Sequence, residues 1–372
     1  MIYFDHNSST PIDPAAAAAM TPFLLEHHGN PSSPHAPGRA MRAAVDHARS
    51  QIAAMLEVND DEVIFNSGGS EGCNHAIKGA AWARMDAGRH IVTTVIEHAA
   101  ILKSCAFLEE NGFEVTRVGV DSTGMVDPDD IRTALRPDTI LVSVMLANNE
   151  VGTIQPIADI AKIARDSGAW MHTDAAQAVG KIPVTASGLG VDLLTFAGHK
   201  CYAPQGIGAM FIREGVTLEP LIHGAGHEKG RRAGTEPVAN VVALGKAAEL
   251  VRTDRSSDKT RRQRDTLQQT LQNELGDDVV VHGHPTERLP GTLSIAFRGK
   301  IGAEVLANAP EICASAGAAC HGDKPFVSPV LSAMGVSPEL ALGTVRFSLG
   351  RYTTDEEVER AAKMIVNAAH SA

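Results

Sequence analysis

A lysine and an aspartate stand 26 positions apart, each just after a short apolar run. Asp174 follows Trp170–Thr173, within His172-Thr173-Asp174-Ala175-Ala176-Gln177. Lys200 follows Leu193–Phe196, within Ala197-Gly198-His199-Lys200. A lysine amine can condense with a carbonyl to a Schiff base, and a carboxylate can keep a heteroaromatic nitrogen protonated. Gly68-Gly69-Ser70 lies between the run Glu62–Asn66 and a helical pattern that opens at Glu71. Helix-start amides attract anions, and glycine lets the backbone approach closely, so this turn suits a phosphate. Cys320 follows Ala314-Ser315-Ala316-Gly317-Ala318-Ala319 and precedes the polar stretch His321-Gly322-Asp323-Lys324-Pro325. A thiol in a Gly/Pro-containing loop has the access that a nucleophile needs.

The elements that must position these groups follow from the pattern. Seven short runs rich in Val, Ile and Leu read as strands buried on both faces: Glu62–Asn66, His90–Val95, Glu114–Val118, Thr139–Leu146, Trp170–Thr173, Leu193–Phe196 and Gly208–Ile212. Amphipathic stretches separate them, including Arg39–Leu56, Glu71–Met85, Ala100–Asn111, Asp129–Ala134 and Ile157–Ser167. The alternation predicts an α/β fold with a mainly parallel sheet, in which ligands sit beyond the carboxyl ends of strands. Asp174 and Lys200 then converge on one crevice. Around Arg252–Arg262 the sequence turns polar and leads into a second unit with strand candidates Val279–His282, Thr292–Arg298, Ile312–Ser315 and Thr344–Ser348. Its last helix follows Thr353-Thr354, either of which suits an N-cap, and three acids then complement the first-turn dipole. Ala15–Ala19 reads as no more than a helix segment.

Composition narrows the function. The chain has 372 residues, 44% hydrophobic and 21% charged, which is enough for two domains with real cores. Against 33 basic residues stand 44 acidic ones, a formal charge of −11. Such a surface repels phosphate backbones and anionic lipids, so neither direct nucleic-acid binding nor membrane binding is expected. No apolar run approaches the ~18 residues of a membrane span, and Met1–Pro11 carries no signal-peptide pattern. The five cysteines include no CxxC pair, so a reducing, cytoplasmic setting is expected, with Cys73, Cys105, Cys201 and Cys313 as packing residues. No metal site is expected.

The ordered segments Gly29-Asn30-Pro31-Ser32-Ser33, Gly68-Gly69-Ser70-Glu71, Glu97-His98, Ala147–Thr153, His172–Gln177, Gly198-His199-Lys200, Arg231–Glu236, Gly317-Ala318-Ala319-Cys320 and Val345–Arg351 carry a resemblance. The sequence resembles the cysteine desulfurases, and within that group the selenocysteine lyases. Both are class V aminotransferase-like, fold type I pyridoxal phosphate enzymes. The resemblance runs from Tyr3-Phe4-Asp5 to Arg346–Thr354, nearly the whole chain. It implies a large cofactor-binding domain over 14–252, its seven-stranded sheet flanked by helices. A smaller α+β domain, 1–13 with 253–372, would carry the cysteine loop.

It also implies roles. Lys200 would hold pyridoxal 5'-phosphate as a Schiff base and Asp174 would pair with its ring nitrogen. His98 would stack on the ring and relay protons. Asn149 and Gln177 would bond the ring hydroxyl and the substrate region, and Gly69, Ser70 and His199 the phosphate. Thr235 would reach the cofactor phosphate of a neighbouring subunit, which implies a homodimer. Arg346 would clamp the substrate carboxylate. Cys320 would take sulfur from L-cysteine as a persulfide, leaving L-alanine, and pass it to an acceptor protein. Iron–sulfur cluster assembly, tRNA thiolation, cofactor synthesis and DNA sulfur modification all begin with such sulfur mobilisation. Two departures from the desulfurase pattern stand out. Ala197 replaces the usual phosphate-binding serine, and His321 follows the cysteine. Ala-Ala-Cys-His looks more like the selenocysteine lyases, so L-selenocysteine stays open as the substrate, as does a non-catalytic sulfur-relay role.

Overall fold

The computed structural model describes residues 1–321 and 324–372, leaving aside the side chains of residues 318–326. The strands, in chain order, are β1 Ile2–Tyr3, β2 Val63–Asn66, β3 His90–Thr94, β4 Glu114–Val118, β5 Thr139–Ser143, β6 Trp170–Asp174, β7 Leu193–Ala197 and β8 Gly208–Ile212. They continue as β9 Val279–His282, β10 Thr292–Phe297, β11 Ile312–Cys313, β12 Ser315–Ala316, β13 Ala318–His321, β14 Lys324–Val327 and β15 Thr344–Ser348. The helices needed below are α1 Pro14–Leu25, α2 Ala36–Leu56, α3 Gly69–Ala83, α4 Ala99–Glu110, α5 Pro128–Ala134, α6 Ile157–Asp166, α7 Ala186–Leu189, α8 Val238–Thr253 and α9 Ser256–Leu275.

All seven strands expected in the first part of the chain join one sheet, in the order β2-β8-β7-β6-β5-β3-β4. Only β8 runs antiparallel to its neighbours; the other pairings are parallel. Side chains alternate across each strand, so both faces need cover. Leu141 and Leu193 face Ile77, Ile101 and Met210 on the side of α3 and α4. Val142 and Leu194 face Ile52, Ile160 and Leu244 on the side of α2, α6 and α8. Burying such a side chain contributes roughly 1.5–3 kcal/mol, which is why these runs form the sheet despite modest lengths. β5 stops at Ser143 instead of Leu146, yet Val144 and Leu146 still donate backbone hydrogen bonds to His172 and Asp174 of β6.

A second, antiparallel sheet has the order β12-β15-β10-β9. Its apolar face packs Leu293, Ile295, Val345 and Phe347 against Leu267 and Leu271 of α9 and Val358 and Ile365 of the C-terminal helix Asp355–Ser371. That last helix is capped by Thr354, whose side chain accepts from Glu357 N–H while Glu357 accepts in return. The polar helix expected near Arg252–Arg262 is α9, and it follows a separate helix, α8. The strand expected at Ile312–Ser315 is split. Its first part, β11, pairs with β1, and the next strand, β12, joins β15. Where an open loop was expected, β13 and β14 pair as antiparallel strands, with Cys320 opposite Pro325. Ala15–Ala19 belongs to the twelve-residue α1, started by Asp13 as N-cap and Pro14 in the first turn. Among the described residues no helix is long and apolar enough to cross a membrane.

Candidate active site

β6 ends on Asp174 and β7 on Ala197, after which a 3-10 turn, Gly198–Lys200, carries the lysine forward. These neighbouring parallel strands open onto one crevice of about 550 Å³. Gly69, Ser70, His98, Asn149, Asp174, Gln177, His199, Lys200 and Arg346, all singled out from the sequence, line it. Thr235 does not. It is exposed, on the segment after the tight turn His227–Gly230. The backbone of Cys320 lies on β13, while its side chain and that of His321 lie outside the described residues, as do Gly322 and Asp323.

Lys200 Nζ donates to the carbonyls of Asn7, 2.5 Å away, and Ser8, 2.8 Å away. Burial, helped by the nearby Arg346 guanidinium, pushes its pKa down to about 8. An amine held that way is partly uncharged near neutral pH. Asp174 is 7% exposed and its Oδ1 accepts from Ala176 N–H at 2.9 Å. Burial pushes its carboxyl up, and Lys200 and His98 oppose that shift. Gln177 donates to the Asn7 carbonyl at 2.9 Å and accepts from Lys181 Nζ at 2.5 Å. Lys181 also reaches Asn7 Oδ1 at 2.7 Å, and burial followed by the Lys200 charge pushes its amine far down.

His98 is the N-cap of α4, with Nδ1 accepting from Ala100 N–H at 3.1 Å. That bond leaves Nε2 to carry the proton of the neutral ring. His199 is half-buried, with Nδ1 3.3 Å from Ser9 Oγ, and burial lowers its pKa. At the start of α3, Gly68 has φ +134° and donates to Asn66 Oδ1 at 2.9 Å. The first-turn amides of Gly69 and Ser70 have no intrahelical acceptor, so they are free for an anion. Gly208 makes room behind them: a Cβ there would meet Phe196 O at 2.6 Å and Gly68 Cα at 2.8 Å. Ala197 contributes only an apolar wall, 3.5 Å from where a Cβ on Gly69 would stand.

Arg346 enters from β15 of the small sheet. Its Nη2 donates to Asp5 Oδ1 at 2.7 Å and to Ser8 Oγ and Ser315 Oγ, each at 2.8 Å. Its Nη1 donates to the Asn149 carbonyl at 2.9 Å, and its buried Nε has no partner among the described residues. Asp5, Asn7, Ser8 and Ser315 were missed in the sequence. Asp5 stands in Tyr3-Phe4-Asp5, where the resemblance begins, and that was its only signal. Asn7 and Ser8 act on the lysine through main-chain carbonyls, which no residue type announces. Of the packing cysteines, Cys73, Cys105 and Cys201 are buried as expected, whereas Cys313 is only part-buried, because the short β11 lies at the rim of its core.

Residues 2–361 match the family described as aminotransferase class-V. A cysteine desulfurase IscS of Dictyoglomus turgidum is 45% identical over 361 residues, 96% of this chain and 91% of that protein. Among solved structures, a NifS-like protein superposes with a TM-score of 0.94 at 35% identity, covering 100% of both chains. A structure described as SspA in complex with cysteine superposes at 0.84 with 34% identity, covering 95% of this chain and 100% of that one.

Proposed function

Because the chain belongs to the class-V aminotransferases and, among them, to the cysteine desulfurase family, we propose that it converts L-cysteine to L-alanine and leaves the sulfur as a persulfide on Cys320. In that step the carbon–sulfur bond of cysteine breaks and a sulfur–sulfur bond forms. The thiol proton and the substrate's own protons supply the hydrogen that alanine gains, so no outside oxidant or reductant is needed. The observation that carries the reading is the convergence of Lys200, Asp174 and Arg346 on one crevice.

Pyridoxal phosphate is the cofactor of this family, and the residues present fit it. A buried carboxylate with one N–H donor on Oδ1 suits a protonated ring nitrogen. An amine whose partners among the described residues are two carbonyls is free to condense with an aldehyde. Gly208 clears space behind the helix-start amides of Gly69 and Ser70 for a phosphate. Lys200, Asp174, Gln177, Asn149, His98, Ser70, Gly69 and His199 would hold it, with Thr235 contributed across a homodimer interface. When bound, the cofactor supplies an electron sink for the pair left on the substrate's α-carbon.

The chain's own groups supply the rest. Arg346, with its unpartnered Nε, orients the substrate carboxylate. Lys200, with a pKa near 8, takes and returns the α-proton, and His98 Nε2 donates at the open side. The Cys320 thiolate is the nucleophile, and its onward transfer to an acceptor thiol depends on thiolate fraction and access. This division of labour goes with a chain divided into 14–252 and 1–13 with 253–372. The reading puts the protein in the cytoplasm, where an acceptor protein and reduced thiols meet.

The test is alanine formation from L-cysteine and from L-selenocysteine by the purified protein, with mass spectrometry of the peptide containing Cys320. Alanine from cysteine with a mass gain of one sulfur on that peptide supports the reading. Alanine from selenocysteine alone replaces it with a selenocysteine lyase. Alanine from neither overturns both.

A further inference from the structure

Beneath the crevice, four side chains with no part in the mechanism above form a hydrogen-bonded line that ends on Asp174. Ser143 Oγ lies 2.9 Å from His172 Nδ1, and His172 Nε2 lies 3.2 Å from Thr195 Oγ1. Thr195 Oγ1 lies 3.3 Å from Cys73 Sγ, and Cys73 Sγ lies 3.6 Å from Asp174 Oδ2. The register explains the alignment: Ser143 pairs with His172 across β5 and β6, and Asp174 pairs with Thr195 across β6 and β7. Cys73 comes down from α3, which covers this face. Ser143 is 1% exposed and His172, Thr195 and Cys73 are 0%. A polar line in an apolar layer is costly unless every member is satisfied.

With Asp174 ionised, counting protons gives the line one direction. An ionised carboxylate only accepts, so the Cys73 thiol donates to Asp174. The sulfur then accepts from the Thr195 hydroxyl. That oxygen accepts from His172 Nε2–H, and His172 Nδ1 accepts from Ser143. Each group donates once, toward Asp174. Burial pushes the His172 pKa down to about 3, so the ring is the neutral one that this count requires.

We propose that Ser143, His172, Thr195 and Cys73 are positioning residues. Their one-way donor line holds Asp174 Oδ2 in place and keeps that carboxylate ionised, ready for a protonated ring nitrogen. The line offsets the burial that pushes the Asp174 carboxyl up. Only the last step, the ring nitrogen, rests on the function proposed above. A protonated Asp174 would let the line run the other way, with His172 carrying its proton on Nδ1.

Nitrogen-15 NMR of the cofactor-loaded, full-length protein reads this directly, with the His172 signals assigned by their loss in His172→Gln. The expected result is a neutral ring protonated at Nε2. Cys73→Val deletes the donor and should speed loss of the visible-absorbing cofactor by about tenfold, whereas Cys73→Ser restores a donor and should stay within about threefold of the parent. A proton on Nδ1 in the parent, or equal cofactor loss from the Val and Ser variants, overturns the proposal. Nε2 protonation in a protein that takes up no pyridoxal phosphate supports the donor line and removes the function reading instead.

Discussion

Replacing Glu97 by glutamine should abolish a loss of stability that the parent protein suffers as pH rises. Glu97 is 5% exposed, its Oε1 accepts from Thr94 Oγ1 at 2.7 Å and Met145 N–H at 2.9 Å, and its Oε2 has no partner among the described residues. Burial outweighs those two hydrogen bonds, the nearby Asp174 charge adds to it, and the carboxyl is pushed from an ordinary 4.5 up to about 8. The folded chain therefore keeps a proton that the unfolded chain releases between those two values. Stability from this group is fully present below about pH 4.5 and drains away as pH rises toward about 8. At about 1.4 kcal/mol per pH unit the loss reaches on the order of 3 kcal/mol at pH 7. Glutamine has no such proton. Its amide oxygen can keep both donors, while its NH₂, where Oε2 was, costs about 1 kcal/mol at every pH. The variant should thus be slightly less stable than the parent at pH 5 and more stable by a few kcal/mol at pH 8. Urea unfolding at fixed protein concentration across that range measures the difference. A gap between the two proteins that does not change with pH would refute the buried, protonated state of Glu97.

Lys200→Ala should fold with an unchanged circular dichroism spectrum and lose its visible absorbance on dialysis; retained colour would remove the lysine from its role. Cys320→Ser should keep the colour and lose persulfide formation, with turnover down at least about a hundredfold, measured as alanine released. Arg346→Lys should raise KM for cysteine by about tenfold with a smaller change in kcat, because an ammonium cannot make the paired bonds of a guanidinium. Glu228→Gln should cost roughly 3 kcal/mol in urea unfolding, since Arg49, bonded to Glu228 at 2.7 and 2.8 Å, would be left a buried, unpaired charge.

The large sheet was legible because six of its strands are short, mostly apolar runs covered on both faces; the edge strand β4, expected to be buried as well, is half open, with Glu114 and Arg117 exposed. Among the helices that escaped that pattern are α1 and α8. In α1 the alanines are small on every side, so no apolar stripe forms, although Asp13-Pro14 was a readable start. In α8 the run Val238–Thr253 is rich in valine and interrupted by Gly245. That glycine is required by packing, since a Cβ there would meet Ala48 of α2 at 2.7 Å. The site was legible where chemistry depends on side-chain type at a strand end, as at Asp174 and Lys200. It was illegible where the contact is a carbonyl, as at Asn7 and Ser8. The buried line from Ser143 to Cys73 was equally hidden, because its members are spread over three strands and a helix, and only the sheet register brings them together.

The opening residues are the mortar between the two halves. Within residues 5–8 lie contacts to the amine at 200, the amide at 177 and the guanidinium at 346. A chain trimmed to begin at residue 9 would keep Lys200, Asp174 and Arg346, yet the amine would lose the two carbonyls it leans on and the guanidinium the carboxylate of Asp5. The loss of eight residues, none of which is assigned a step in the reaction, would silence the pocket as surely as a change in the pocket itself.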